Sequence, residues 1–123
     1  MSLIKLSIMS AIALGAAVFS LVSVSESASA HEQCGRASWY ALTSTTASGE
    51  RMNPSKFTAA HRNLEFGTKV KVINQNNGRS VVVRINDRGP FIRNRVIDVS
   101  KAAASELGFV SRGVTSICYQ VVG

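Results

Sequence analysis

Residues 69–91 constrain this chain more than any other stretch. Lys69 to Ile73 alternates charged and apolar side chains, Asn74-Gln75-Asn76-Asn77-Gly78 is a turn, and Ser80 to Asn86 is a run rich in valine and isoleucine. Two β-prone runs joined by an Asn-Gly turn read as a hairpin. The second run ends on Asp87-Arg88-Gly89-Pro90-Phe91, a turn sequence in which Arg84 and Arg88 bracket the acid. Counting by twos, Val81, Val83, Ile85 and Asp87 share one face, so the carboxylate continues an inward-looking row where the strand meets its turn. An acid at the mouth of a β structure suits proton transfer. Alternatively, Asp87 bonds its own turn backbone and pairs with the two arginines.

Residues 1–30 read as an export signal. Lys5 is followed by an apolar stretch from Ile8 to Val24, and Ala28-Ser29-Ala30 has the small-x-small form a signal peptidase cuts. Serines break the apolar stretch, which falls short of the ~20 residues a spanning helix needs. No cysteine directly follows the small-residue motif, as lipidation would require. The expected product starts at His31, carries no membrane anchor or lipid, and works in the periplasm or cell envelope. Residues 31–123 suffice for one domain whose core alone is marginal. Export favours a disulfide between Cys34 and Cys118, the two cysteines of the chain.

The net charge is +7, and losing Lys5 and Glu26 with the signal leaves it unchanged. The basic residues are scattered, with none of the aromatic interleaving that single-strand binders use. A nucleic acid partner is therefore not expected; the charge serves attraction to an acidic envelope polymer, or solubility.

Elsewhere, residues 35–41 read as a short opening strand with Trp39 and Tyr40 on opposite faces. Residues 42–56 are polar and form a long loop of the kind that carries function. Arg95 to Val99 is another strand. Ser100 caps a helix over Lys101 to Leu107, with Ala103, Ala104 and Leu107 on one side and Gly108 as the stop. Residues 114–122 make a final strand. Many short strands with one short helix argue for a mainly β fold closed into a small barrel. A single monomeric domain is expected.

Several segments, in order, carry a resemblance. They are Gly35-Arg36-Ala37-Ser38-Trp39-Tyr40, Thr46-Ala47-Ser48-Gly49-Glu50, Thr58-Ala59-Ala60-His61, Phe66-Gly67-Thr68, Asn77-Gly78-Arg79-Ser80, Asn86-Asp87-Arg88-Gly89-Pro90-Phe91 and Ile97-Asp98-Val99-Ser100. Together they make residues 34–121 similar to the rare lipoprotein A family. The resemblance implies a six-stranded double-psi β-barrel, a fold shared with expansins and some endoglucanases. It also implies a lytic transglycosylase acting on peptidoglycan, with a preference for glycan strands stripped of stem peptides. The family residues regarded as important for activity fall on Glu50, His61 and Asp87. Many members add a lipidated cysteine and a C-terminal SPOR domain, neither of which is expected here.

Such an enzyme cleaves between N-acetylmuramic acid and N-acetylglucosamine without water, the muramyl 6-hydroxyl acting as internal nucleophile. One carboxyl can protonate the leaving oxygen and then accept the hydroxyl proton, and Asp87 is given that role. Glu50 stabilises the oxocarbenium-like transition state or, in a hydrolase, activates water. His61 orients Asp87, bonds a sugar, or is a structural donor. Of Trp39 and Tyr40, one offers a sugar-stacking surface and the other packs. Strand alternation puts Arg84 and Arg88 on the side away from Asp87, free for substrate such as its lactyl carboxylate. Asn86 lies beside them as a further substrate contact, and Asp98 lines the groove or bonds a backbone turn. No cofactor or metal is expected: an amino-terminal His31 could chelate copper only with His61 as second histidine. The competing function is a non-catalytic, expansin-like module that binds or loosens the wall.

Overall fold

The computed structural model describes residues 32–123; the export-signal reading and the copper idea at His31 lie outside the described residues. The elements are β1 (Gln33–Tyr40), β2 (Thr58–Ala60), β3 (Lys69–Asn74), β4 (Ser80–Asp87), β5 (Arg95–Ser100), α1 (Lys101–Leu107) and β6 (Val114–Val121). The six strands close into a barrel in the order β1-β5-β2-β4-β3-β6. Pairs β1·β5 and β2·β4 run parallel, and the other four run antiparallel. Closure leaves no unpaired edge.

The expected hairpin is β3–β4, with Val70 opposite Val83 and Val72 opposite Val81. Those four valines, with Ile85, Ile97, Val99 and Ile117, fill the barrel. Helix α1 closes it from outside, burying Ala103, Ala104 and Leu107. Ser100 accepts a hydrogen bond from Ala103 N–H at its start, and Gly108 ends it in the left-handed region at φ 78°. Cys34 and Cys118 sit directly opposite on β1 and β6 and form a disulfide. No helix among the described residues is long and apolar enough to cross a membrane.

Two features depart from the reading by periodicity. Strand β2 is only three residues, Thr58-Ala59-Ala60, all buried, and is held by β4 on one side and β5 on the other. More important, β4 carries a bulge. Ala59 faces Ile85, but the next residue, Ala60, faces Asp87, so Asn86 is the extra residue. Asp87 therefore leaves the inward row of Val81, Val83 and Ile85 and joins the outward one, while Asn86 takes the buried place, 2% exposed.

Candidate active site

The outward row built by the bulge crosses four strands. Ser38 of β1 faces Asp98 of β5, Asp98 faces Ala60 of β2, and Ala60 faces Asp87 of β4. Side chains paired in this way share a face of the sheet. Two acids thus flank one methyl group, their Cα atoms about 10 Å apart across two strand spacings. Tyr40, two residues beyond Ser38, belongs to the same face. Its hydroxyl donates to Asp87 Oδ2 at 3.2 Å. The other oxygen, Oδ1, accepts from Ala47 N–H at 2.8 Å and from Arg88 N–H at 2.9 Å. Ser38 Oγ donates to Asp98 Oδ1. Burial, followed by the nearby Asp87 and Asp98 carboxylates, holds the Tyr40 phenol far above its usual range, so it remains a proton donor.

Glu50 and Arg84 form a separate unit. Arg84 Nη1 and Nη2 donate to the two carboxylate oxygens of Glu50 at 2.9 and 2.8 Å, a fork-on-fork ion pair at the surface. The hydrogen bonds from Arg84 hold the Glu50 carboxyl below the usual range, against a smaller upward pull from burial. Arg84 therefore does not stand free for a substrate carboxylate. Its carboxylate partner lies within the chain, 34 residues away in sequence.

His61 is also placed apart from the Asp87 carboxylate. The ring is buried, and its Nδ1 accepts from the N–H groups of Asn63 and Leu64, both at 3.1 Å. Backbone N–H groups can only donate, so Nδ1 is bare and the proton resides on Nε2. Nε2 then donates to Tyr119 Oη at 2.7 Å, and that hydroxyl donates to Gln33 Oε1 at 3.3 Å. The hydrogen bond between His61 and Asp87 runs through the backbone, His61 N–H donating to Asp87 O at 3.1 Å. The structure thus favours the structural donor among the three roles considered for His61.

The remaining candidates divide. Trp39 packs against the core and donates Nε1–H to Val110 O at 3.1 Å, leaving Tyr40 as the aromatic of the acid face. The Asn86 side chain is buried rather than presented to a ligand, and its Oδ1 has no hydrogen-bond partner among the described residues. Arg88 turns its guanidinium to His61 O and Leu64 O at 3.2 and 2.8 Å and stacks over the Phe66 ring at 4.0 Å. It buttresses the turn after β2. Among the described residues, the one grouping with metal-ligand spacing, Glu32 with Cys34 and Cys118, has both sulfurs in the disulfide and offers no thiolate. Ser38 and Ala47 were not singled out from sequence. Ser38 was accessible by strand parity with Tyr40, whereas Ala47 acts through its backbone and leaves no side-chain signal.

Residues 32–119 match the family described as lytic transglycolase. The chain belongs to that family. It is 62% identical over 78 residues to a probable endolytic peptidoglycan transglycosylase RlpA of Nostoc sp., covering 63% of this chain and 21% of the relative. To the endolytic peptidoglycan transglycosylase RlpA of Neisseria meningitidis serogroup A it is 52% identical over 88 residues, covering 69% of this chain and 37% of the relative. The chain thus spans between a fifth and two fifths of these family members' length. Among solved structures, the Streptomyces papain inhibitor superposes with a TM-score of 0.65 at 25% identity, covering 76% of this chain and 96% of the inhibitor. An apo expansin of Clavibacter michiganensis gives 0.60 at 24% identity, covering 75% of this chain and 50% of the expansin. These likenesses identify the barrel as double-psi.

Proposed function

We propose that this lytic transglycolase-family domain is an endolytic peptidoglycan transglycosylase, exported by residues 1–30 and acting as an unlipidated monomer on peptide-poor glycan strands. The observation that carries the reading is the Asp87 carboxylate, set outward by the bulge and held by three donors, in a barrel whose similar proteins bear that activity in their names. Export is supported by the leader pattern in the sequence and by the Cys34–Cys118 disulfide.

Asp87 gives its proton to the glycosidic oxygen as the bond to the muramyl anomeric carbon breaks. The carboxylate left behind is stabilised by Ala47 N–H, Arg88 N–H and the Tyr40 hydroxyl. The muramyl 6-hydroxyl oxygen then attacks the anomeric carbon, and its proton returns to Asp87. One carbon–oxygen bond is broken and one formed, the proton given to the leaving oxygen is replaced by that of the 6-hydroxyl, no water is consumed, and the acid is regenerated. Asp98, steadied by Ser38, is the second carboxylate of the face and lines the path of the glycan.

The test is incubation of the purified protein and its Asp87→Asn variant with denuded sacculi, with mass spectrometry of the soluble products. Fragments lighter by one water than reducing-end sugars, made by the parent alone, support the reading. Reducing-end fragments mean hydrolysis. Sedimentation with the wall and no release points instead to an expansin-like binding module.

A further inference from the structure

The turn over residues 46–50 is fixed from within. Glu50 O accepts from Thr46 N–H at 2.8 Å and Thr46 Oγ1 at 2.7 Å, and Gly49 N–H donates to Thr46 O at 2.9 Å. Gly49 takes φ 92°, a conformation that suits glycine. This unit meets β4 at three successive points. The Glu50 side chain grips Arg84 through two bonds, Ser48 N–H reaches Asn86 O at 3.4 Å, and Ala47 N–H reaches Asp87 Oδ1 at 2.8 Å. The first is the strongest of the three, being doubly bonded and charge-assisted. The second is long. Both Glu50 oxygens are taken up by the guanidinium, so the carboxylate is committed to the turn's anchorage and not to a reacting atom.

We propose that Glu50 and Arg84 are positioning residues: their ion pair clamps the 46–50 turn onto β4 and so delivers the Ala47 N–H to Asp87. This rests on the assignment of Asp87 as the reacting acid. A mispositioned donor weakens support for the carboxylate without changing how glycan is bound. The loss should therefore fall on kcat and leave KM in place.

The experiment is a double-mutant cycle with Glu50→Ala, Arg84→Ala and both together, read by anhydro-end release from denuded sacculi and by the Ala47 amide in a proton–nitrogen NMR spectrum. Each single variant is expected to lower kcat by the same factor, at most about 100-fold. The double variant should be no slower than either. In all three the Ala47 amide resonance moves and exchanges faster, while the β3–β4 amides stay as in the parent. The reversed pair, Glu50→Arg with Arg84→Glu, should restore both readouts, since a clamp tolerates exchange of its partners and a reacting carboxylate does not. The proposal is overturned if Arg84→Ala keeps parent activity, or if Glu50→Ala is as inactive as Asp87→Asn while the Ala47 amide is unmoved. A parent protein that releases nothing from sacculi would refute the transglycosylase reading, and the Ala47 amide would still decide whether the pair holds the turn.

Discussion

Replacing Tyr119 by phenylalanine separates a structural His61 from a catalytic one. The imidazole is 7% exposed, with Nδ1 occupied by two N–H donors and Nε2–H bonded to the Tyr119 hydroxyl. Tyr119→Phe keeps the ring that packs edge-on against His61 at 5.4 Å and removes the hydroxyl, which is the acceptor for His61 and a long donor to Gln33. A buried N–H without a partner costs about 1–3 kcal/mol. For a domain of this size that lowers Tm by roughly 5–20 °C. Trp39, the single tryptophan and packed against the core, reports unfolding by fluorescence. Burial, then the charges of Arg62 and Arg88, holds the His61 pKa below its ordinary 6.5. The unfolded chain thus binds a proton at His61 that the folded chain resists. The stability His61 contributes is complete above pH 6.5 and is lost as pH falls below it towards the folded value, at no more than about 1.4 kcal/mol per pH unit. A His61→Gln variant should be less stable at pH 8 and lose less on acidification to pH ~5. An unchanged Tm in Tyr119→Phe, together with an activity profile displaced in pH, would refute the structural assignment.

Removing the disulfide by Cys34→Ser with Cys118→Ser opens a loop of 84 residues' separation, which in the chain-entropy model is worth about 4–5 kcal/mol as an upper bound. Urea unfolding with and without the substitutions measures it, and coincident midpoints would contradict the expectation. Gly35→Ala would set a Cβ 2.6 Å from Val96 Cγ1, so stability should fall by about 1–3 kcal/mol and recover when Val96→Ala makes room. Tyr40→Phe removes one donor from Asp87 without opening the core; release of anhydro-ends should slow by roughly 10–100-fold with Tm nearly unchanged, and parent-level activity would exclude Tyr40 from the site.

Much of the fold was legible because its signals are local. The β3–β4 hairpin follows from alternation and an Asn-Gly turn, and α1 from a serine cap, a three-residue apolar face and a glycine stop, all within a dozen residues of one another. Strand β2 was not legible. Three residues are too few to show a period, and two of them are alanines; the segment is a strand only because β4 and β5 bracket it. The partner of Arg84 was equally hidden, since an arginine on a strand carries no mark of the glutamate that a distant turn will bring to it.

The bulge at Asn86 shows how strand parity fails at the candidate site. Period two put Asp87 in the inward row, and an acid there would lie among Val83, Ile85 and Val99, with desolvation to suppress its ionised form. One extra residue reverses the parity beyond it, and nothing in Ile85-Asn86-Asp87 announces that residue, because its cause lies across the sheet. Strand β2 must keep Ala59 on the core and yet bring Ala60 level with Asp98 on its other side. The small Ala60 side chain lets the two acids share a face, and the bulge brings the second acid to that face. Buried Asn86 is the cost of that arrangement, with an amide oxygen that has no partner among the described residues, beside the residue whose outward turn it permits.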